Sequence, residues 1–288
     1  MKTKFLAFIF IVAAYITTSS CKEDDVNAPI KTHEESDDEI DQYIQTNFTD
    51  KYGVAVRYTY VDRYVDPDKR VTPPKRELVE PMLDFLTDFW IEPFEAVDNG
   101  KVFFAKHVPA EMVFIGSTIY NSDGTVTLGT ADAGARITLT EVNDIDVENI
   151  NWIFRQLGTI YHEFAHIVHQ RYNLPPNFQQ ISPQGYTSAG SWYNLTEDEA
   201  LARGFVSPYA TSSFNEDFAE TVAHLLFYPE FYERYIDDEV CTTTDCLARN
   251  EGRALIRKKY NSILAHYKQY TGVDLLKVRE IVQAKLPL

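Results

Sequence analysis

Apolar positions along this chain follow two periods, and their order predicts the architecture. Between residues 73 and 94, Leu78, Met82, Leu83, Phe85, Leu86 and Phe89 recur three to four residues apart, the spacing of one helix face. Pro73 and Pro74 stand where prolines open helices. A shorter stripe of the same period, Ile40, Tyr43, Ile44 and Phe48, predicts a helix within 37–48. Residues 54–61 alternate and are rich in Val and Tyr, which predicts a strand. Further strands are expected at 112–115, 126–128 and 135–140, with a turn at Asn121-Ser122-Asp123-Gly124. The helical period returns in 157–172, where Ile160, Phe164, Ile167 and Val168 share a face. Residues 173–196 are rich in Pro, Gly and Ser and carry Phe178, Tyr186, Trp192 and Tyr193. A loop of that length in a compact domain suggests one wall of a cleft. Beyond it, helices are expected near 215–227, 229–237, 248–270 and 274–285. The sum is an α+β chain: a small mixed or antiparallel sheet with helices, one central helix, then a mainly helical remainder.

Composition narrows the class. Of 288 residues, 44% are hydrophobic, including 18 Tyr and 18 Phe, so a sizeable core can be buried. The net charge of −16 would repel nucleic-acid phosphates, so no nucleic-acid partner is expected. Lys2 and Lys4 precede an apolar run over 5–16 that is too short to span a bilayer. Thr18-Ser19-Ser20-Cys21 follows, and the whole resembles a bacterial lipoprotein signal. On that resemblance, residues 1–20 are a signal peptide, Cys21 is the lipidation site and the membrane is met through a lipid anchor only. The alternative is an ordinary secretory signal cut near Ser20. Residues 21–36 read as an acidic tether and 37–288 as the functional domain. Cys241 and Cys246, close together in an exported chain, are expected to form a small disulfide loop.

Chemistry concentrates in His162-Glu163-Phe164-Ala165-His166. On a helix, residues four apart are separated by about one turn, so both imidazoles project from one face and can hold one metal ion. Glu163 then stands beside the ion as a general base. Zinc needs a third protein ligand. The metzincin pattern is excluded, because His169 stands where it requires Gly and Tyr172 where it requires His. About fifty residues downstream, Asn215-Glu216-Asp217-Phe218-Ala219-Glu220 opens an apolar helix with two acids on one face. This resembles the gluzincin pattern. The resemblance implies Glu216 as third ligand and Glu220 as the acceptor that orients His162, with the reverse assignment of the two acids open. His169 lies on the metal face one turn too far along, as a second-shell or cleft-lining residue, and His224 as a satisfied helix residue. A tyrosine shortly before the third ligand donates to the oxyanion in gluzincins, which points to Tyr209, with Tyr186 and Tyr193 as competitors.

Together these motifs resemble the zinc-binding metallopeptidase lipoproteins of Bacteroidetes, also described as substrate import-associated zinc metallohydrolases. The acidic cluster Lys22-Glu23-Asp24-Asp25 resembles the surface-export signal of such lipoproteins. The resemblance implies a zincin-like, gluzincin-type fold and one Zn²⁺ per chain. It also implies cleavage of peptide or protein substrates at the outer membrane, on the cell surface, next to a TonB-dependent import complex. Two other classes stay open: a non-catalytic zinc-containing component of an uptake system, and a hydrolase of glycopeptide or non-peptide bonds. Another divalent metal could occupy the same ligands.

Overall fold

A computed structural model describes residues 38–287, apart from 60–63, 67, 121–125, 128, 133–135 and 189. The signal peptide, Cys21, the tether and the turn at 121–124 lie outside the described residues. The chain starts with α1 (Glu39–Ile44), capped by the Asp38 side chain on the Ile40 N–H at 2.9 Å. It continues through a π turn, Gln45–Thr49, and α2 (Asp50–Tyr52) to β1 (Ala55–Arg57). The second predicted helix begins later than its prolines suggest. Arg76–Leu78 forms a 3-10 turn, and α3 (Val79–Leu86), a π stretch Thr87–Ile91 and α4 (Glu92–Glu95) follow as one continuous rod. Pro93 has no N–H for the Phe89 carbonyl, and the Tyr161 hydroxyl donates to that carbonyl instead.

After α5 (Gly100–His107) come β2 (Glu111–Phe114), the short antiparallel pair β3 (Ile119–Tyr120) and β4 (Val126–Thr127), β5 (Gly129–Asp132) and β6 (Arg136–Leu139). The main sheet has the order β1-β2-β6-β5. β1, β2 and β6 run parallel, and β5 returns antiparallel to β6 as an edge strand. The sheet is therefore mixed. Glu111 fastens its parallel strands, accepting from Arg57 and Arg136 Nε at 2.9 Å each.

The central helix is longer than its motif. α6 (Ile150–Tyr172) starts about three turns before His162 because Asn149 caps it, accepting from the Asn151 and Trp152 N–H groups. Trp152 Nε1 donates to the Glu141 carbonyl at 3.3 Å and Gln156 Nε2 to the Thr140 carbonyl at 3.2 Å, which tie α6 to the end of β6. Its back face buries Phe164 in a ring of aromatics, with centroids 5.2 Å from Phe94, 5.3 Å from Trp90, 5.6 Å from Phe103 and 5.7 Å from Phe104. Such pairs contribute about 0.5–1.5 kcal/mol each beyond area burial, so the helix has one rotational setting. Its opposite face carries His162 and His166.

The helical remainder comprises α7 (Glu197–Ala202), α8 (Phe214–Phe227), α9 (Phe231–Tyr235), α10 (Thr244–Thr271) and α11 (Leu275–Lys285). α8 packs along α6. α10 begins four residues earlier than the periodicity predicts, because Thr243 caps it on the Cys246 N–H at 3.3 Å. Cys241 and Cys246 are joined by a disulfide that spans this start. Gly252 lets α10 meet α7 backbone to backbone: a Cβ there would lie 1.7 Å from the Leu201 carbonyl oxygen.

Candidate metal centre

Two helices bring the site together. α6 presents His162 and His166 one turn apart. α8 is started by Ser213, whose hydroxyl accepts from the Glu216 N–H at 3.2 Å, and this start places Glu216 and Glu220 one turn apart facing α6. The two histidine Nε2 atoms lie 3.0 Å from each other. Glu216 Oε2 lies 3.0 Å from His162 Nε2 and 3.2 Å from His166 Nε2. Ligands about 2.0–2.2 Å from a tetrahedral ion are separated by about 3.3–3.6 Å, so this triangle is a few tenths of an ångström from that spacing. Among the described residues, this trio is the one group of three His, Cys, Asp or Glu whose ligand atoms all fall within 4.8 Å.

The outward ring nitrogens are held as well. His162 Nδ1 meets Glu220 Oε1 at 2.8 Å, and Glu220 Oε2 accepts from the Ser207 hydroxyl. Ser207 is itself fixed, accepting from the Ala210 N–H at 3.1 Å. His166 Nδ1 meets His169 Nε2 at 2.8 Å. Both imidazoles therefore turn Nε2 toward Glu216. His169 stands behind His166, outside the trio. His224 donates from Nδ1 to the Glu220 carbonyl at 2.9 Å, as an ordinary helix residue does.

The electrostatics suit a cation at the centre of the trio. Burial alone would lower the His162 pKa, yet hydrogen bonds to Glu216 and Glu220 outweigh it and push it up to about 10. Burial alone would raise the Glu216 and Glu220 carboxyls. Bonds to His162 and His166 hold Glu216 well below the usual carboxylate range, and the bond and charge of His162 hold Glu220 at about 2. Two ionised acids facing the imidazoles make the centre of the trio a place that favours positive charge. Glu163 is buried next to this trio, and burial raises its pKa. Burial also lowers His169, to about 4, so that ring is neutral and available as an acceptor.

Of the three candidate tyrosines, one reaches the site. The Tyr209 ring lies 5.9 Å from that of His162, and burial together with the Glu216 carboxylate raises its hydroxyl pKa. Tyr186 is spent on Asp217, to which it donates at 2.8 Å. Tyr193 is 55% exposed and packs on Trp192. Trp192 in turn meets Tyr209 edge-on at 5.1 Å, so the 173–196 segment does reach the site, through this ring.

Sequence reasoning passes over Ser207 and a buried pair beneath Glu216. Asp217 and Lys259 are both fully buried, with Lys259 Nζ 2.8 Å from Asp217 Oδ2. Lys259 also donates to the Gly204 carbonyl at 2.6 Å and lies 3.7 Å above the Phe205 ring. The available signal was its position in the apolar stripe Ile256, Lys259, Ile263 of α10.

A mixed α+β fold with a long helix offering two histidines to one glutamate is the arrangement of a candidate metal-binding protein. Residues 32–276 match the family described as "Putative zinc-binding metallo-peptidase", and the chain belongs to that family. A solved structure titled as a putative zinc-binding metallo-peptidase from Bacteroides caccae is similar. It is 28% identical, with 86% of this chain and 91% of that chain covered and a TM-score of 0.69. No curated protein is similar enough to this chain to count as a match.

Proposed function

We propose that this protein is a zinc peptidase of the gluzincin type, with His162, His166 and Glu216 as the metal ligands. The observation that carries this is the convergence of both Nε2 atoms on the Glu216 carboxylate, with Glu163 buried alongside. One Zn²⁺ bound there would lower the pKa of water and polarise a carbonyl. The chain's own residues do the rest. Glu163 takes the proton of the attacking water and delivers it to the leaving amine nitrogen. Tyr209 donates its hydroxyl proton to the developing oxyanion, and its raised pKa keeps that proton in place. Glu220 and His169 fix the two imidazole rings by accepting from their Nδ1–H groups. β5 is an edge strand packed against α6, so an extended peptide can add to the sheet beside the site.

The same proposal places the mature chain on a lipid anchor at Cys21, at the outer membrane surface, as a nutrient-handling enzyme beside an import complex. Its support is the sequence pattern of residues 1–25. The catalytic part is tested with a peptide library: wild type cleaves, and Glu163→Gln binds the same zinc but does not. Full activity in Glu163→Gln would remove the general base from the scheme. The anchor is tested by metabolic labelling with a fatty acid, which Cys21→Ser must abolish.

A further inference from the structure

A cavity of about 470 Å³ opens at the carboxy-terminal end of α6, against the first residues of α8. It lies beyond His166, on the side away from Glu216 Oε2. His166 Nε2 faces Glu216, whereas its Nδ1, across the ring, meets His169, and His169 lines the cavity. His169, beside His166, and Asn215, beside Glu216, thus border both the cavity and the site. Five lining side chains are carboxamides: Gln170, Asn173, Asn177, Gln179 and Asn215. Each offers both donors and an acceptor. Leu174, Pro175 and Phe214 supply apolar wall between them, with Phe214 42% exposed. Its described lining contains no Asp, Glu, Lys or Arg, although 24% of the chain is charged. Asn173 and Asn177 both hold positive φ, 61° and 63°, a backbone setting that Asn adopts more readily than most residues. They turn the chain on either side of Pro175-Pro176 and hold the cavity rim in shape.

We propose that this cavity is a substrate subsite for an uncharged polar stretch of polypeptide, bearing hydroxyl or carboxamide side chains, next to the scissile bond. The proposal rests on the peptidase reading above and names its substrate class. A charged side chain finds no opposite charge in this lining, whereas a hydroxyl or carboxamide has its donor and acceptor matched by the amides around it. The volume lies in the range of about 300–1,000 Å³ typical of ligand sites and exceeds one side chain, so a short stretch is taken rather than a single residue. Position sets the distance: His169 follows His166 by three residues, about 4.5 Å along the helix, which is one to two residues of extended peptide.

The test uses zinc-loaded Glu163→Gln protein, so that peptides stay intact, and titrates three synthetic peptides differing only in one segment. The first carries Ser, Thr, Asn and Gln, the second Asp in their place, the third Lys. Neutral oligosaccharide is a fourth probe. The same titrations are run on proteins that also carry Gln170→Glu or Gln170→Lys. Gln170 is an exposed helix position, so either change leaves the fold alone. The neutral peptide is expected to bind at least about tenfold tighter than either charged one, with Gln170→Glu moving the preference to Lys and Gln170→Lys to Asp. Equal binding of all three peptides, a preference that neither substitution moves, or binding of the oligosaccharide alone would overturn the assignment. Turnover by the corresponding proteins with Glu163 intact is scored separately. No turnover with the charge-swapped binding retained sinks the peptidase reading and spares the cavity. Turnover with selectivity unchanged in both Gln170 variants spares the peptidase and sinks the cavity.

Discussion

Replacing Lys259 by Met isolates what the buried ion pair does. Asp217 and Lys259 are both 0% exposed and 2.8 Å apart, and the carboxylate sits one residue from Glu216. Removing the cation leaves a buried carboxylate whose desolvation is no longer offset; breaking such pairs costs about 3–5 kcal/mol. Asp217 keeps the Tyr186 hydroxyl at 2.8 Å, so the lower end, about 3 kcal/mol, is expected. In a domain of this size each kcal/mol moves the midpoint by about 2–4 °C, giving a fall of about 6–12 °C in a thermal melt followed by circular dichroism. The double variant Lys259→Met/Asp217→Asn should regain more than half of that loss, because Asn needs no counter-charge and still accepts from Tyr186. A single variant costing under about 1 kcal/mol, or a double variant worse than the single, would refute the claim that a compensated buried charge anchors the start of α8.

Other consequences are as direct. Glu220→Gln should weaken zinc affinity by about 10–100-fold in competition with a chelator, because His162 loses a charged acceptor but keeps its place. Tyr209→Phe should lower kcat by about 10²-fold with KM little changed, and an equal change in KM would reassign the hydroxyl to ground-state binding. Burial alone would raise Glu111, but bonds from Tyr64, Arg57 and Arg136 hold it down at about 2. A depressed acid stabilises the fold above its ordinary pKa and loses that contribution as pH falls towards 2, so Glu111→Gln should be less stable at pH 7 and flatter between pH 4.5 and 2 in urea titrations. Gly252→Ala should destabilise although Ala is the better helix former, since α10 must retreat from the Leu201 carbonyl; a rise in melting temperature would contradict the close approach.

What the chain discloses before folding follows from the range of each signal. The two helices that carry the site are local features. His162 with His166, and Glu216 with Glu220, are each four apart, so both pairs and their facing sides were legible from spacing alone. The Glu216 and Glu220 environments differ only through contacts with α6 and Ser207, which no spacing encodes. The sheet was legible as short β segments, but not its parallel β1-β2-β6 order, because β1 and β2 are separated by helices and β2 and β6 by the strands β3 to β5. The π turns at Gln45–Thr49 and Thr87–Ile91 leave the apolar stripe intact and so read as plain helix. Lys259 was hidden for the opposite reason: a lone Lys in an apolar stripe looks like a side chain that reaches solvent, and only the fold sets Asp217 opposite it.

The central claim is that His162, His166 and Glu216 hold one zinc while Glu220 supports from behind. Metal content by elemental mass spectrometry, on protein lacking residues 1–21, tests it most directly. The account predicts one zinc per chain in wild type, loss in Glu216→Ala and substantial retention in Glu220→Ala. No zinc in wild type after zinc is supplied would contradict the account outright, and loss in Glu220→Ala with retention in Glu216→Ala would contradict its assignment of the two acids.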